Sequence, residues 1–117
     1  MTLREVQTIL DARLLTGEES LDKTVNTACG SDLMSDVLAY VKHDALLLTG
    51  LVNAHVVRTA EMMDIPCIVF VRGKRPAQDV LDVAEECGIA LLSTEHTMFT
   101  ACGKLYASGL TGSAGRV

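Results

Sequence analysis

After Asp44 the chain repeats one rhythm three times, and that rhythm is its strongest constraint on fold. An apolar run ends in a small or basic loop, and an amphipathic helical segment follows. The runs are Ala45-Leu46-Leu47-Leu48, Cys67-Ile68-Val69-Phe70-Val71 and Ile89-Ala90-Leu91-Leu92. Their loops are Thr49-Gly50, Arg72-Gly73-Lys74-Arg75 and Ser93-Thr94. A strand with no polar face is buried on both sides, and intervening helices make right-handed crossovers between parallel strands. The expected fold is therefore α/β: a single domain with a mostly parallel sheet of about four to five strands and helices on both faces. Ligands in such folds bind beyond the carboxyl ends of the strands. The rhythm thus predicts the place of a site without its chemistry.

The rest of the chain fits around this frame. Thr2-Leu3-Arg4-Glu5 reads as a capping box, and Leu3, Val6 and Leu10 continue it as a helix over about residues 3–10. Arg13-Leu14-Leu15 and Val25-Asn26-Thr27-Ala28-Cys29 read as short strands, the second ended by Gly30. Ser31 is placed as the cap of a helix whose stripe is Leu33, Met34, Val37, Leu38 and Val41. Asp32 then falls in the first turn, where the helix dipole favours negative charge. Asn53 caps the next helix, with Val56, Val57, Ala60 and Met63 inward. Pro76 opens a third, with Ala77, Val80, Leu81 and Ala84 inward and Gly88 as its stop. The last helix is expected from about Glu95 to Ala107. The domain is expected to occupy residues 1–110. The Gly-, Ser- and Thr-rich stretch after Gly109 predicts mobility, with 111–117 as a flexible tail.

Composition removes several function classes. The 117 residues are 49% hydrophobic, which excludes a disordered chain, and no apolar stretch approaches membrane-spanning length. The first residues lack a basic segment followed by a long apolar one, so the expected compartment is the cytoplasm. Net charge is −5, with two Phe, two Tyr and no Trp; nucleic-acid binding would need a basic stripe with stacking aromatics. Cys29, Cys67, Cys87 and Cys102 form no C-x-x-C pair and read as small buried or half-buried hydrophobes, all reduced. Cys102 is placed on one helical face with Met98, Phe99, Leu105 and Tyr106. His43, His55 and His96 have no ligand partners at metal spacing, so no metal or cofactor is expected.

Four blocks carry a family resemblance: Asp32-Leu33-Met34-Ser35-Asp36-Val37-Leu38, Leu47-Leu48-Thr49-Gly50, Val57-Arg58-Thr59-Ala60-Glu61 and Val69-Phe70-Val71-Arg72-Gly73-Lys74-Arg75-Pro76. In order and spacing, with Leu91-Leu92-Ser93-Thr94 and Met98-Phe99 closing the set, they resemble the DRTGG domain from about residue 3 to 110. Lys23 stands where relatives carry Arg. The resemblance implies an α/β module similar to the N-terminal domain of HPr kinase/phosphorylase. It implies a regulatory and dimerising part that accompanies CBS domains in regulated pyrophosphatases, and not a catalytic one.

The sharpest local chemistry is Arg72-Gly73-Lys74-Arg75-Pro76, three cations after a buried strand, with Gly73 permitting close backbone approach. It reads equally as a solvated turn. Thr49, Gly50 and Asn53, and Ser93 and Thr94 with Glu95, read as helix-starting turns that capping explains fully. They join Arg72, Gly73 and Lys74 in one ligand site only if their strands are neighbours. The expected function is a non-enzymatic regulatory module that binds a small anion or nucleotide and acts as a homodimer. Met34, Met62 and Met98 are its adaptable surface candidates. The rival is a module that docks on a larger metabolic or redox enzyme without its own ligand.

Overall fold

A computed structural model describes residues 1–41 and 44–112. The elements in order are α1 (Leu3–Ile9), β1 (Arg13–Thr16), β2 (Thr27–Gly30), α2 (Met34–Tyr40), β3 (Ala45–Thr49) and α3 (Ala54–Met62). There follow β4 (Cys67–Phe70), α4 (Gln78–Cys87), β5 (Ala90–Ser93), α5 (Met98–Ala107) and β6 (Thr111–Gly112). A 3₁₀ turn spans Glu18–Ser20.

Among the described residues, six strands form one sheet in the order β1-β5-β4-β3-β2-β6. β5, β4, β3, β2 and β6 are mutually parallel, and β1 lies antiparallel against β5 at one edge. The three core runs are adjacent and parallel, as the apolar rhythm requires, and the sheet is slightly wider than expected. Every residue of β3, β4 and β5 is buried.

Side chains alternate across the pleat, and the two cores follow that parity. Leu46, Leu48, Cys67, Val69, Val71, Ala90 and Leu92 pack with Leu3, Val6 and Leu10 of the α1 region and Ala101 and Leu105 of α5. Ala45, Leu47, Ile68, Phe70, Ile89 and Leu91 pack on the other face with α2, α3 and α4 residues such as Val37, Val57, Ala60, Val80 and Ala84. Helices therefore cover both faces. Each fully buried Leu or Ile contributes about 1.5–3 kcal/mol of transfer free energy, so the doubly covered strands dominate stability.

Local capping signals hold where their partners are close in sequence. Thr2 and Glu5 form both halves of the capping box, Asn53 accepts from the Val56 N–H, and Gly88 ends α4 at φ 72°. Four boundaries differ from the sequence reading. α2 starts at Met34 behind Leu33, with no side-chain cap, because the Ser31 hydroxyl instead accepts from Leu33 N–H in a tight turn. α4 starts at Gln78, so Pro76 lies outside it and Ala77 is exposed at the cap. α5 starts at Met98 with Thr97 as its cap, which removes Ser93, Thr94 and Glu95 from any helix N-terminus. β2 starts at Thr27, two residues later than the sequence reading, and Gly30 is its last residue, paired with Leu48.

The apolar stripes are narrower than expected. Leu33 and Leu38 of the α2 region are exposed, and Phe99 and Tyr106 point away from the Ala101–Leu105 face of α5. Met34 is buried and Met98 half-buried; Met62 alone of the three named methionines stands well out, at 70% exposure. Leu110 is buried and Thr111–Gly112 pair with β2, so this part of the expected mobile stretch is tied to the sheet. Residues 113–117 and His43 lie outside the described residues. No helix is long and apolar enough to cross a membrane, among the described residues.

Candidate functional site

The sheet register brings the three loops together. Thr49 is opposite Phe70, and Phe70 is opposite Ser93, so the residues that follow each strand emerge side by side. Val71 N–H donates to Thr49 O at 3.0 Å, and Thr94 N–H donates to Phe70 O at 2.9 Å. Beyond the strands, Arg72 N–H donates to His96 O and Gly73 N–H to Thr94 O, each at 2.8 Å. The 72–74 loop is thus stitched to the 93–96 loop. Arg72 and Gly73 both adopt left-handed backbone, φ 58° and 67°. At Arg72 this conformation is unfavourable for a side-chain-bearing residue, and the stitching holds it.

The Arg72 guanidinium faces the Thr49-Gly50 turn. A Cβ on Gly50 would stand 2.5 Å from Nη2 of Arg72, so the absent side chain leaves room for the guanidinium to lie over that turn. On the other side, a Cβ on Gly73 would stand 2.8 Å from each Glu95 carboxylate oxygen. Among the described residues, neither Arg72 nor Lys74 comes within ion-pair distance, 4.0 Å, of a carboxylate; the ion pair that the described residues do contain is Arg4–Asp22, on the exposed surface. Both cations are solvent-exposed.

The group at the centre of the cluster is one that sequence spacing assigned to a helix dipole. Asp32 Oδ1 accepts from Gly50 N–H at 2.7 Å and from Thr49 Oγ1 at 3.0 Å. The Gly50 N–H bond lowers the Asp32 carboxyl pKa; burial opposes it, and the Thr49 hydroxyl and the charges of Arg72 and Lys74 lower it further, so the net shift is downward. The β2–β3 register explains the placement: Gly30 pairs with Leu48, so two residues onward Asp32 stands beside Gly50.

The remaining expected site residues divide between charge and scaffold. Ser93 Oγ donates to Lys74 O at 2.8 Å, fixing the basic loop. Thr94 Oγ1 donates to Leu10 O at 2.7 Å across 84 residues, inside the core. Asn53 is engaged with Val56 N–H as a helix cap. The structure brings the loops of Thr49, Gly50, Arg72, Gly73 and Lys74 side by side, but the Gly73 N–H and the Ser93 and Thr94 hydroxyls are committed internally. The arrangement offers an exposed guanidinium and ammonium, with Gly50 N–H and the Thr49 hydroxyl behind them under a carboxylate. This suits electrostatic binding at an open surface. An apolar cleft of about 200 Å³ lies elsewhere, bounded by Gly30, Leu48, Cys102 and Tyr106.

No cysteine is poised as a nucleophile. Burial raises the pKa of Cys67 and Cys102; burial and then the charges of Cys102 and Asp36 raise that of Cys29. Cys87 is raised by its hydrogen bond to Glu61, at 3.2 Å. A reactive thiol needs the opposite shift. Among the described residues, no group of three or more His, Cys, Asp or Glu gathers to hold a metal ion.

The sequence profile of the DRTGG domain matches residues 5–108. Comparison with curated proteins finds no match. Among solved structures, the chain is similar to a crystal structure of the CBS and DRTGG domains of the regulatory region of Clostridium perfringens pyrophosphatase, complexed with the activator diadenosine tetraphosphate. The TM-score is 0.70 at 13% identity, over 97% of this chain and 48% of that one, so this chain spans about half its length. That likeness establishes the shared fold. The profile match runs through nearly all of the described elements, and the chain belongs to the DRTGG domain family.

Proposed function

We propose that this chain is a non-enzymatic regulatory module that binds a small anionic ligand, of the nucleotide or polyphosphate class, and acts as a homodimer. The observation that carries the reading is the Arg72 guanidinium over the Thr49-Gly50 turn, with Lys74 in the same loop and its charge felt at Asp32, at the carboxyl ends of three adjacent parallel strands. A phosphate group there gains two cations and, on reaching the turn, a backbone N–H and a hydroxyl. The similar pyrophosphatase region is described as regulatory and as complexed with a nucleotide polyphosphate, which fits the same class. Among the described residues the site has no paired base and nucleophile, and a regulatory role accounts for it better than a catalytic one.

A second reading has its own observation. Phe99 and Tyr106 lie seven residues apart on one face of α5 and are 88% and 71% exposed. Such a face fits docking on a larger protein, with or without a ligand.

Native mass spectrometry of freshly purified protein, followed by a melting-temperature screen with diadenosine tetraphosphate, ATP, AMP and pyrophosphate, tests the proposal. A mass of two chains, each 12.5 kDa, and a raised melting temperature with a polyphosphate are expected. A monomer with a flat screen overturns it. A flat screen with one co-purifying enzyme selects the docking reading.

A further inference from the structure

The strand-end turn already holds an anion, and it belongs to the protein. We infer that Asp32 is a built-in competitor for the anion site: an incoming phosphate takes over the Gly50 N–H and Thr49 hydroxyl, and the displaced Asp32 loosens the start of α2. This inference rests on the anion-binding reading above and names how that site would be regulated.

The geometry supports displacement over permanent scaffolding. Asp32 uses one oxygen, Oδ1, for both of its bonds, and its side chain lies at the exposed end of the sheet. Its two donors are the pair that a phosphate oxygen would use. A carboxylate and a phosphate cannot share them, because each donor hydrogen serves one acceptor well and the two anions repel. Arg72 and Lys74 attract either anion, and a phosphate dianion gains more from both cations than a single carboxylate does. The charge of Asp32 therefore sets a threshold that the ligand must exceed.

The same contact gives the switch an output. Ser31 N–H donates to Leu48 O and continues the β2–β3 ladder, so the chain is fixed up to that residue. Past it, Asp32 is the side chain that ties the segment to the β3 end, while Leu33 is exposed and α2 begins with no side-chain cap. α2 has seven residues, too few to persist without tertiary anchors. Met34, Val37 and Val41 anchor its body. Release of Asp32 frays its first turn and alters the exposed surface of Leu33, Leu38 and Tyr40 without unfolding the core.

The test is calorimetric titration of inorganic pyrophosphate into the full chain and the variants Asp32→Asn and Lys74→Ala, with amide hydrogen exchange over residues 31–40. Asp32→Asn keeps the shape and an acceptor oxygen while removing the competing charge. Its expected affinity is about tenfold tighter than wild type, the order of one like charge near a surface site. Pyrophosphate is expected to speed exchange at 31–36 in wild type. Should Asp32→Asn fail to fold, Asp32→Ser, which keeps a turn-forming hydroxyl, is titrated in its place. Binding that Lys74→Ala weakens but Asp32→Asn leaves equal or weaker overturns the competitor role and leaves the anion site standing. Slower exchange at 31–36 on binding also overturns it. No binding to wild type or to either Asp32 variant at millimolar pyrophosphate overturns the anion site itself.

Discussion

Thr94→Val separates a structural hydroxyl from a ligand-binding one. Thr94 is 2% exposed, and its Oγ1 donates to Leu10 O at 2.7 Å while accepting a longer bond from His96 N–H at 3.4 Å. Valine fills the same volume but offers no donor, so the Leu10 carbonyl loses this bond where water is scarce. Leaving a buried polar group without its partner costs about 1–3 kcal/mol. Unfolding entropy near 60 °C is about 2.1 cal/mol/K per residue, which over 117 residues is about 0.25 kcal/mol/K. The expected fall in melting temperature is therefore about 4–12 °C, read by calorimetry or circular dichroism. Pyrophosphate affinity of the folded variant should be unchanged within about twofold, because the hydroxyl faces the core. A melting shift below about 2 °C would refute the structural role. Loss of binding in a folded, stable variant would show that Thr94 reaches the ligand.

Two further outcomes follow from other contacts. Gly17→Ala should lower the melting temperature by about 8 °C or more: its φ is +96°, and a Cβ would stand 2.6 Å from the Ala90 Cα of β5, combining backbone strain with a backbone clash of about 2 kcal/mol or more in total. The Asp32 contact should be lost in acid. Its native pKa is lowered below the unfolded value near about 4, so its stabilisation is present above that pH and disappears as pH falls through the lowered native value. The melting-temperature gap between wild type and Asp32→Asn should then shrink from about pH 6 to about pH 3; a constant gap would contradict it.

What the sequence makes legible is what is local or fully apolar. Ala45–Thr49 reads as a buried strand because almost nothing in it is polar, and Thr2 and Glu5 specify their cap within three residues. Ser93, Thr94 and Thr97 are three acceptable helix caps within five residues, and local chemistry cannot choose among them. The choice is made by a bond to Leu10, 84 residues away, that draws Thr94 into the core. Asp32 is hidden for the same reason. Near the start of a helix its charge has a sufficient local explanation, and only the Gly30–Leu48 register reveals that it stands beside Gly50. Leu33, Phe99 and Tyr106 mislead helical periodicity because α2 and α5 each bury a stripe narrower than their apolar content. The clustering of Thr49, Gly50, Arg72 and Lys74 is foreseeable once three parallel strands are recognised as neighbours. The commitment of Gly73 N–H to Thr94 O is not, since it depends on loop geometry.

The most direct test of the central claim, that the basic loop is an anion site, is calorimetric titration of pyrophosphate into wild type and Lys74→Ala. Lys74 is exposed and its side chain makes no hydrogen bond or ion pair among the described residues, so Lys74→Ala should keep the wild-type melting temperature within about 2 °C. Loss of one charge-assisted contact, about 1.5–3 kcal/mol, should weaken binding by about tenfold or more. Equal affinity in the two proteins, or no heat with either, would contradict the claim and leave Arg72-Gly73-Lys74 as a solvated turn.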